Sequence, residues 1–251
     1  MLAQSAIVSG RARLEYRVVD GASTDRTAEI ARAYAREDLT VVSEPDGGMY
    51  DALAKGLEGA DGRVCAYLNA GDLYSKQAFD TVLDVFQSRA VRWLTGMEVA
   101  YNDRGQVIHV ALPYRYRARL FQCGAYGTLL PFLQQESTFW DASLNRRIDF
   151  DRLRRFRYAG DYYLWHTFSR FEPLAIAQAY LGGFRVHGGQ LSAAHMDDYR
   201  AEMAAICSRP TLADRAVALW DRVVWSAPVR VKKALNPGGL FRYDTRLQAW
   251  V

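Results

Sequence analysis

The chain has 251 residues, a mass of 28.4 kDa and a formal net charge of only +4, and 50% of its residues are hydrophobic while 24% are charged. This balance is typical of a globular protein with a sizeable core, and it gives no reason to expect nucleic acid as a partner. No apolar run of about 18 residues and no signal-peptide core occur, and the three cysteines lack C-x-x-C spacing, so we expect a cytoplasmic protein with neither a spanning helix nor a disulfide framework.

Short β-type runs alternate with helical patterns along the first third of the chain. We predict strands over 14–19, 39–43 and 63–68, and helices over 2–9, 27–36, 49–58 and 76–87. Thr24 is expected to cap the second of these helices. Asp20, Asp46 and Asp72 each follow a strand, at an even spacing close to the length of one strand–helix–strand unit. We therefore expect the three aspartates at the carboxyl ends of consecutive parallel strands, the edge at which open α/β sheets bind ligands.

The rest of the chain is less regular. Two β-type runs, 93–101 and 106–111, are separated by the Asn-Asp-Arg-Gly stretch 102–105, which is typical of a hairpin. A mixed, aromatic-rich part follows, and the last part of the chain is mostly helical. We accordingly predict one domain over 1–192 and a C-terminal helical extension over 193–251.

Apolar and basic residues are interleaved from Leu212 to Leu235, with a break at Pro228. A basic amphipathic helix of this kind can lie on an anionic bilayer, which predicts peripheral contact with the inner face of the plasma membrane through 212–235. The same pattern also suits a helix packed on the domain or against a partner subunit. The sequence leaves both interpretations open.

Five ordered blocks of the sequence resemble family 2 glycosyltransferases of the GT-A fold. They are 15–25 (EYRVVDGASTD), 43–52 (SEPDGGMYDA), 67–72 (YLNAGD), 134–140 (QQESTFW) and 158–165 (YAGDYYLW). The resemblance covers about 15–192 and implies an α/β fold with a mostly parallel central sheet flanked by helices. It also implies an inverting transfer of a sugar from a nucleoside-diphosphate sugar, expected to be a UDP-sugar, to an acceptor hydroxyl. The implied acceptor is a glycan or a lipid-linked saccharide in cell-surface polysaccharide or glycolipid synthesis.

By this resemblance, Asp20, Asp46, Asn69 and Tyr50 are expected to bind the nucleotide. The Asp20 carboxylate would accept a hydrogen bond from the imide N–H of uracil, a group that cytosine lacks. The residues themselves also allow simpler roles. Asp20 could cap the following helix, a position that Asp25 fits better, and Asp46 could belong to a turn.

Asp72 is the expected ligand of a Mg²⁺ or Mn²⁺ ion, and His187 is a second candidate. A divalent cation neutralises the charge that develops on the departing diphosphate, and it prefers hard oxygen ligands. The sequence departs from the acidic form of the family motif, because Asn69 and Gly71 stand where carboxylates often occur. A structural role for His187 is equally compatible with its sequence context.

Asp161 is the candidate catalytic base, since a direct displacement at the anomeric carbon needs a carboxylate to take the proton of the acceptor hydroxyl. It could also cap the aromatic helix that follows. Glu136 is expected on the donor-sugar or acceptor side. Trp140 and Trp165 could stack on a sugar ring, or they could belong to the core.

One further departure concerns the start of the domain. The family domain opens with an apolar strand before a long helix, whereas this chain begins inside that helix, so the strand bearing Asp20 is expected to lack a neighbour. This motivates an alternative function, a catalytically silent binding or scaffold subunit. A dinucleotide dehydrogenase and a P-loop enzyme are disfavoured because neither glycine motif is present. A phosphatase built on the string 20–24 would leave the blocks around Glu136 and Asp161 unexplained.

Overall fold

A computed structural model describes residues 1–187 and 195–251 of the chain. Its strands are β1 Tyr16–Asp20, β2 Leu39–Ser43, β3 Val64–Cys65, β4 Leu73–Tyr74, β5 Trp93–Thr95, β6 Glu98–Tyr101, β7 Val107–Ala111, β8 Thr138–Asp141, β9 Ala175–Ala177, β10 Gly182–Arg185, β11 Leu240–Phe241, β12 Tyr243–Asp244 and β13 Ala249–Trp250. Its helices are α1 Ser5–Val8, α2 Thr27–Ala33, α3 Met49–Leu57, α4 Ala78–Ser88, α5 Ala118–Gln122, α6 Phe150–Leu153, α7 Gly160–Phe168, α8 Met196–Ile206, α9 Leu212–Trp225 and α10 Val229–Leu235. The predicted α/β class is confirmed.

The strands form a five-stranded sheet in the order β11-β9-β5-β8-β3, a four-stranded sheet in the order β4-β10-β6-β7, and two separate pairs, β1-β2 and β12-β13. The sheets are mixed rather than mostly parallel. β5, β9 and β11 run parallel, but β8 pairs antiparallel with both β5 and β3. In the part of the chain that the structure describes, β1 pairs only with β2.

Most predicted elements of the first third are present, with two differences. The predicted strand 63–68 is reduced to β3, because the chain beyond Cys65 no longer pairs with a neighbouring strand. The Tyr67 carbonyl instead accepts a hydrogen bond from the Gln135 side chain. The expectation that Thr24 caps α2 is wrong. The helix begins at Thr27, whose N–H donates to the Asp25 carboxylate at 2.9 Å.

The predicted run 93–101 divides into β5 and β6, which belong to different sheets. The chain crosses between the sheets at Gly96, where a Cβ would lie 2.8 Å from the Ala179 carbonyl oxygen. The predicted hairpin is confirmed as β6 and β7. Its turn is held by the Asn102 side chain, which accepts N–H bonds from Arg104 and Gln106 at 3.0 Å.

Aromatic side chains fill the centre of the main core. The indole rings of Trp93 and Trp165 stack with centroids 5.9 Å apart, and Trp140 packs edge-on against Trp165 at 6.0 Å. Cys65 lies in the same core, as its apolar strand predicts, and all three cysteines are free.

The C-terminal part is helical to Leu235, and the predicted break at Pro228 separates α9 from α10. It then adds β11 to the five-stranded sheet, so it is continuous with the fold rather than purely a helical appendage. The predicted boundary between 192 and 193 lies outside the described residues. Among those residues, every helix is too short or too polar to cross a bilayer.

Candidate active site

The turns that follow β1 and β2 lie against each other. Asp20 ends β1 opposite Ser43, the last residue of β2. Asp46 follows in the next turn, and a Cβ at Gly21 would lie 2.8 Å from an Asp46 carboxylate oxygen. Because Gly21 has no side chain, the Asp46 carboxylate can approach the residue next to Asp20. The two carboxylates predicted to bind the nucleoside therefore lie in the same part of the site.

The Asp20 carboxylate is held ionised by hydrogen bonds from its own turn and from β2. It accepts from the Ser23 hydroxyl, from the Ser23 N–H at 3.1 Å and from the Ser43 hydroxyl at 2.7 Å. The Ser23 hydroxyl, followed by that of Ser43, lowers the pKa of Asp20. Because a carboxylate has about four acceptor positions, these three bonds leave room for one ligand N–H. Asp20 thus organises its turn but does not cap α2.

Asp72 lies at the end of a loop that is tied to the turn of 3₁₀ helix Gln135–Ser137. The Asn69 amide donates to the Gln135 side chain at 3.3 Å. Gly71 has φ +102°, a left-handed conformation that suits glycine and accounts for a glycine where the family often has a carboxylate. The loop thereby brings Asn69 and Asp72 beside Gln135 and its neighbour Glu136.

The Asp72 carboxylate is buried and accepts the N–H of Arg185, in β10, at 3.0 Å. Burial raises the pKa of Asp72, while the charge of His187 acts in the opposite direction. His187 is exposed, at the end of the described stretch of β10. The two predicted metal ligands, Asp72 and His187, therefore interact electrostatically.

Glu136 occupies a buried position in the site. It is 4% exposed, and no donor in the described part of the chain reaches its Oε2 atom. Burial, and then the charge of Asp72, raise the pKa of Glu136 to about 8. Its backbone is fixed because the Glu136 carbonyl fills the space that a Cβ at Gly182 would need. A neutral carboxyl group at this position can donate a hydrogen bond to a ligand oxygen.

Asp161 lies in the first turn of α7, half-buried, and it does not cap that helix, whose N-cap residue is Ala159. Its Oδ1 atom accepts hydrogen bonds from the Tyr199 hydroxyl at 3.0 Å and the Tyr50 hydroxyl at 3.2 Å. The surrounding protein desolvates the carboxyl group and raises the pKa of Asp161 to about 6, against the effect of these hydrogen bonds. Such a carboxylate is ionised at neutral pH and still basic enough to accept a proton.

Tyr50 lies with Asp161 rather than with Asp20 and Asp46. It is 2% exposed, and its single hydroxyl proton is shared between Asp161 and the Tyr158 carbonyl, which lies 2.8 Å from the hydroxyl oxygen. Because α3 begins directly after the Asp46 turn, its first residues connect the nucleoside end of the site to Asp161.

Helix α8 supplies two site residues that the sequence analysis missed. Besides Tyr199, Glu202 accepts the N–H groups of Arg157, Tyr158 and Ala159 at 2.8–2.9 Å, immediately before Asp161. This carboxylate satisfies the N–H groups of the segment that leads into α7, up to the N-cap residue Ala159. The available sequence signal was the spacing of Tyr199 and Glu202, one turn apart on a single helix face.

Trp140 and Trp165 belong to the core, so the expectation that they face a sugar is corrected. They are 0% and 1% exposed, respectively. The Trp140 Nε1–H donates to Asn145 at 2.7 Å, and both rings are enclosed by other aromatic side chains. Neither of these two indole rings is open to a carbohydrate.

Asp72, Glu136 and His187 could hold a divalent cation only together with atoms of a bound ligand. Within residues 1–187 and 195–251, no three His, Cys, Asp or Glu side chains are arranged to hold a metal ion by themselves. Asp72 nevertheless interacts electrostatically with both His187 and Glu136, whose Oε2 atom has no hydrogen-bond partner among the described residues. This suits Mg²⁺ and Mn²⁺, which are commonly held by one or two protein ligands together with substrate phosphates.

Comparisons with known proteins bear on the family and the fold of the chain. The sequence model of glycosyl transferase family 2 matches residues 2–132. The crystal structure of S. aureus TarS 1–349 in complex with UDP-GlcNAc is similar, with a TM-score of 0.58 at 14% identity, over 94% of this chain and 69% of that chain. The complex of TarS 1–349 with UDP has a TM-score of 0.52 at 15% identity, over 87% of this chain and 73% of that chain. These likenesses support the GT-A fold. Among curated proteins, none matches the chain.

Proposed function

Since the chain belongs to glycosyl transferase family 2, we propose that it is an inverting enzyme that moves a sugar from a UDP-sugar to an acceptor hydroxyl. The observation that carries the proposal is the environment of Asp161. Two tyrosine hydroxyls bind its half-buried carboxylate, which has a pKa of about 6. The negative charge of Asp161 also contributes to the raised pKa of Glu136.

In the proposed reaction Asp161 acts as the base. It takes the proton of the acceptor hydroxyl while that oxygen attacks the anomeric carbon of the donor sugar. The bond from the anomeric carbon to the diphosphate oxygen breaks, and its electron pair leaves with the nucleoside diphosphate. The configuration at the anomeric carbon inverts, and Asp161 later returns its proton to solvent.

The nucleoside would bind at the turns after β1 and β2. Asp20 has an ionised carboxylate with one acceptor position left, which suits the imide N–H of uracil. That TarS is seen with UDP and UDP-GlcNAc supports the choice of a UDP-sugar. Asp46, beside Gly21, would contact the same nucleoside, and Asn69 would contact the ribose or the diphosphate.

Asp72 and His187 would hold Mg²⁺ or Mn²⁺ together with the donor diphosphate. When bound, the cation neutralises the charge on the leaving diphosphate. Glu136, protonated at neutral pH, would donate a hydrogen bond to the donor sugar or the acceptor. We propose a glycan or lipid-linked saccharide as the acceptor, and the cytoplasmic location stays a prediction.

The test compares the parent with Asp161→Asn in two assays. Release of UDP from UDP-GlcNAc, in the presence of Mn²⁺ and saccharide acceptors, is expected to fall about 100- to 10,000-fold. Stabilisation by UDP with Mn²⁺, measured as a shift in melting temperature, is expected to be retained. Asp151→Asn is the matched control, because its side chain is 91% exposed.

A parent protein that UDP and Mn²⁺ stabilise, but that turns over no UDP-sugar, would favour the silent binding subunit. The single carboxylate in the string 69–72 is the observation behind that alternative. Equal turnover by the parent and Asp161→Asn would remove Asp161 as the base.

A further inference from the structure

Helix α9 buries its two acidic residues together with Ala218 and Val224, and it exposes several large apolar side chains, unlike an ordinary surface helix. Asp214 and Asp221 are 8% and 0% exposed. The exposed apolar side chains on the opposite face are Leu212, Leu219, Trp220 and Val223, at 84%, 54%, 56% and 70%. We refer to these four residues as the outer face of α9.

Ion pairs lock this orientation. Arg117 makes a bidentate bond to the Asp221 carboxylate at 2.6 and 2.9 Å. Arg119 pairs with Asp214 at 2.7 Å, and Asp214 also closes a capping box with Thr211 at the start of the helix. A rotation that buried the outer face would break both pairs and leave the Asp221 carboxylate without its partner. The exposure of the apolar residues is therefore built into the fold.

The outer face is one continuous stripe. Its residues are spaced i, i+7, i+8 and i+11, and they follow one side of a helix about 21 Å long. A contiguous apolar stripe on an otherwise polar surface marks a contact site.

The exposed charged residues of the segment 208–235 are all basic. Four exposed arginines lie along this segment, Arg209, Arg215, Arg222 and Arg230. The only acidic residues in 208–235 are Asp214 and Asp221, and both are already paired with arginines. An apolar stripe between cations, without a competing surface carboxylate from its own segment, matches the chemistry of an anionic lipid surface.

We propose that the outer face of α9 lies in the interface of an anionic bilayer, with its flanking arginines at the lipid headgroups. A tryptophan suits that depth because its ring is apolar and its N–H is polar, and arginine side chains can extend from the interface to the headgroups. A second copy of the chain fits less well. Two such faces would bring the arginines of both copies together without a surface carboxylate from 208–235 to pair them.

The proposal stands independently of sugar transfer, because it concerns binding alone. Helix α9 follows α8, which carries Tyr199 and Glu202, directly in the chain.

The experiment is co-sedimentation of the full chain with vesicles of phosphatidylcholine alone or of phosphatidylcholine with phosphatidylglycerol. The parent is expected to bind the anionic vesicles and to be released by salt. The double variant L219S/W220S is expected to bind at least about tenfold more weakly. The double variant R215Q/R222Q is expected to bind anionic vesicles about tenfold more weakly, with no change in its binding to vesicles of phosphatidylcholine alone.

Ile30→Ser is the matched control, because Ile30 is an exposed apolar residue (51%) on α2, far along the chain from α9. Its vesicle binding should equal that of the parent, and melting curves should show that all variants are folded. Equal binding by L219S/W220S and the parent would overturn the proposal. So would a parent that ignores anionic vesicles and forms a dimer, seen by light scattering, which L219S/W220S dissociates.

Discussion

The two ends of the candidate site hold their carboxylates in opposite ways. At the nucleoside end, Asp20 receives hydrogen bonds that lower its pKa, so it stays ionised throughout the physiological range. At the acidic end, burial raises the pKa of Glu136 to about 8 and that of Asp161 to about 6. One end is a fixed acceptor for recognition, and the other can exchange protons near neutral pH.

The two ends also differ in where their partners come from. Asp20 is held by Ser23, within its own turn, and by Ser43 on the neighbouring strand. Asp161 is held by Tyr199, from a helix near the other end of the chain, and Asp72 accepts the N–H of Arg185. Recognition thus rests on local structure, whereas the chemistry depends on long-range packing.

The largest expected effect comes from removing the candidate metal ligand Asp72. This change should affect the acidic end of the site and leave the nucleoside end intact. Asp72→Ala should lower Mn²⁺-dependent UDP release about 1,000-fold, because the diphosphate loses the cation that neutralises it. UDP binding without metal should change little, since Asp20 and Asp46 remain. Titrating Mn²⁺ against UDP release tests this, with Asp151→Ala as the exposed control. An unchanged Mn²⁺ response would place the cation elsewhere.

A smaller effect is expected at the nucleoside end. Asp20→Asn should weaken UDP binding about tenfold and reduce the preference for UDP over CDP, because a charged acceptor is lost. The pH profile set by Asp161 should not move. Calorimetric titration measures the binding. Ser43→Ala is the control, since it removes one of the bonds that hold Asp20 and keeps the carboxylate. If Ser43→Ala weakens UDP binding as much, the role of Asp20 is structural.

Glu136→Gln tests the buried carboxyl through stability. The pKa of Glu136 is raised from 4.5 to about 8, so its contribution to folding is fully present below about pH 4.5 and is lost as the pH rises through 8. Gln does not titrate. As the pH rises between these values, the free energy of unfolding of the variant should therefore increase relative to that of the parent. The expected relative increase is at least about 1.4 kcal/mol, the equivalent of one pKa unit. Urea unfolding at about pH 5 and about pH 8 measures the difference. The same difference at both pH values would contradict the buried titration.

The smallest effect concerns Tyr199. Its hydroxyl stabilises the ionised form of Asp161, so Tyr199→Phe should raise the pKa of Asp161. The base works when ionised, and the acid limb of the kcat/KM profile should consequently move up by about half a pH unit. Tyr243→Phe, which removes an exposed hydroxyl bonded to Gln248, is the control. A uniform loss of activity at every pH would indicate a purely structural role for Tyr199.

The strands and helices of the first third agree well with prediction, because hydrophobic periodicity and turn residues act locally. β2 and the start of α3 at Met49 are examples. The division of 93–101 into β5 and β6 was not predicted, since it depends on the close approach of Gly96 to Ala179. The candidate metal pair, Asp72 and His187, was predicted by family resemblance, while Tyr199 and Glu202 were missed because their partners lie 38 and more positions away.

The family, the α/β class and the three aspartates after the early strands could be predicted from the sequence, because ordered motifs and turn chemistry lie in consecutive residues. The direction in which each ambiguous side chain faces became clear from the folded chain. Trp140 and Trp165 are buried in the core, and four large apolar residues of α9 face outward. Burial and ion pairing depend on partners distant in the chain, such as Arg117 for Asp221, and no local pattern specifies those partners.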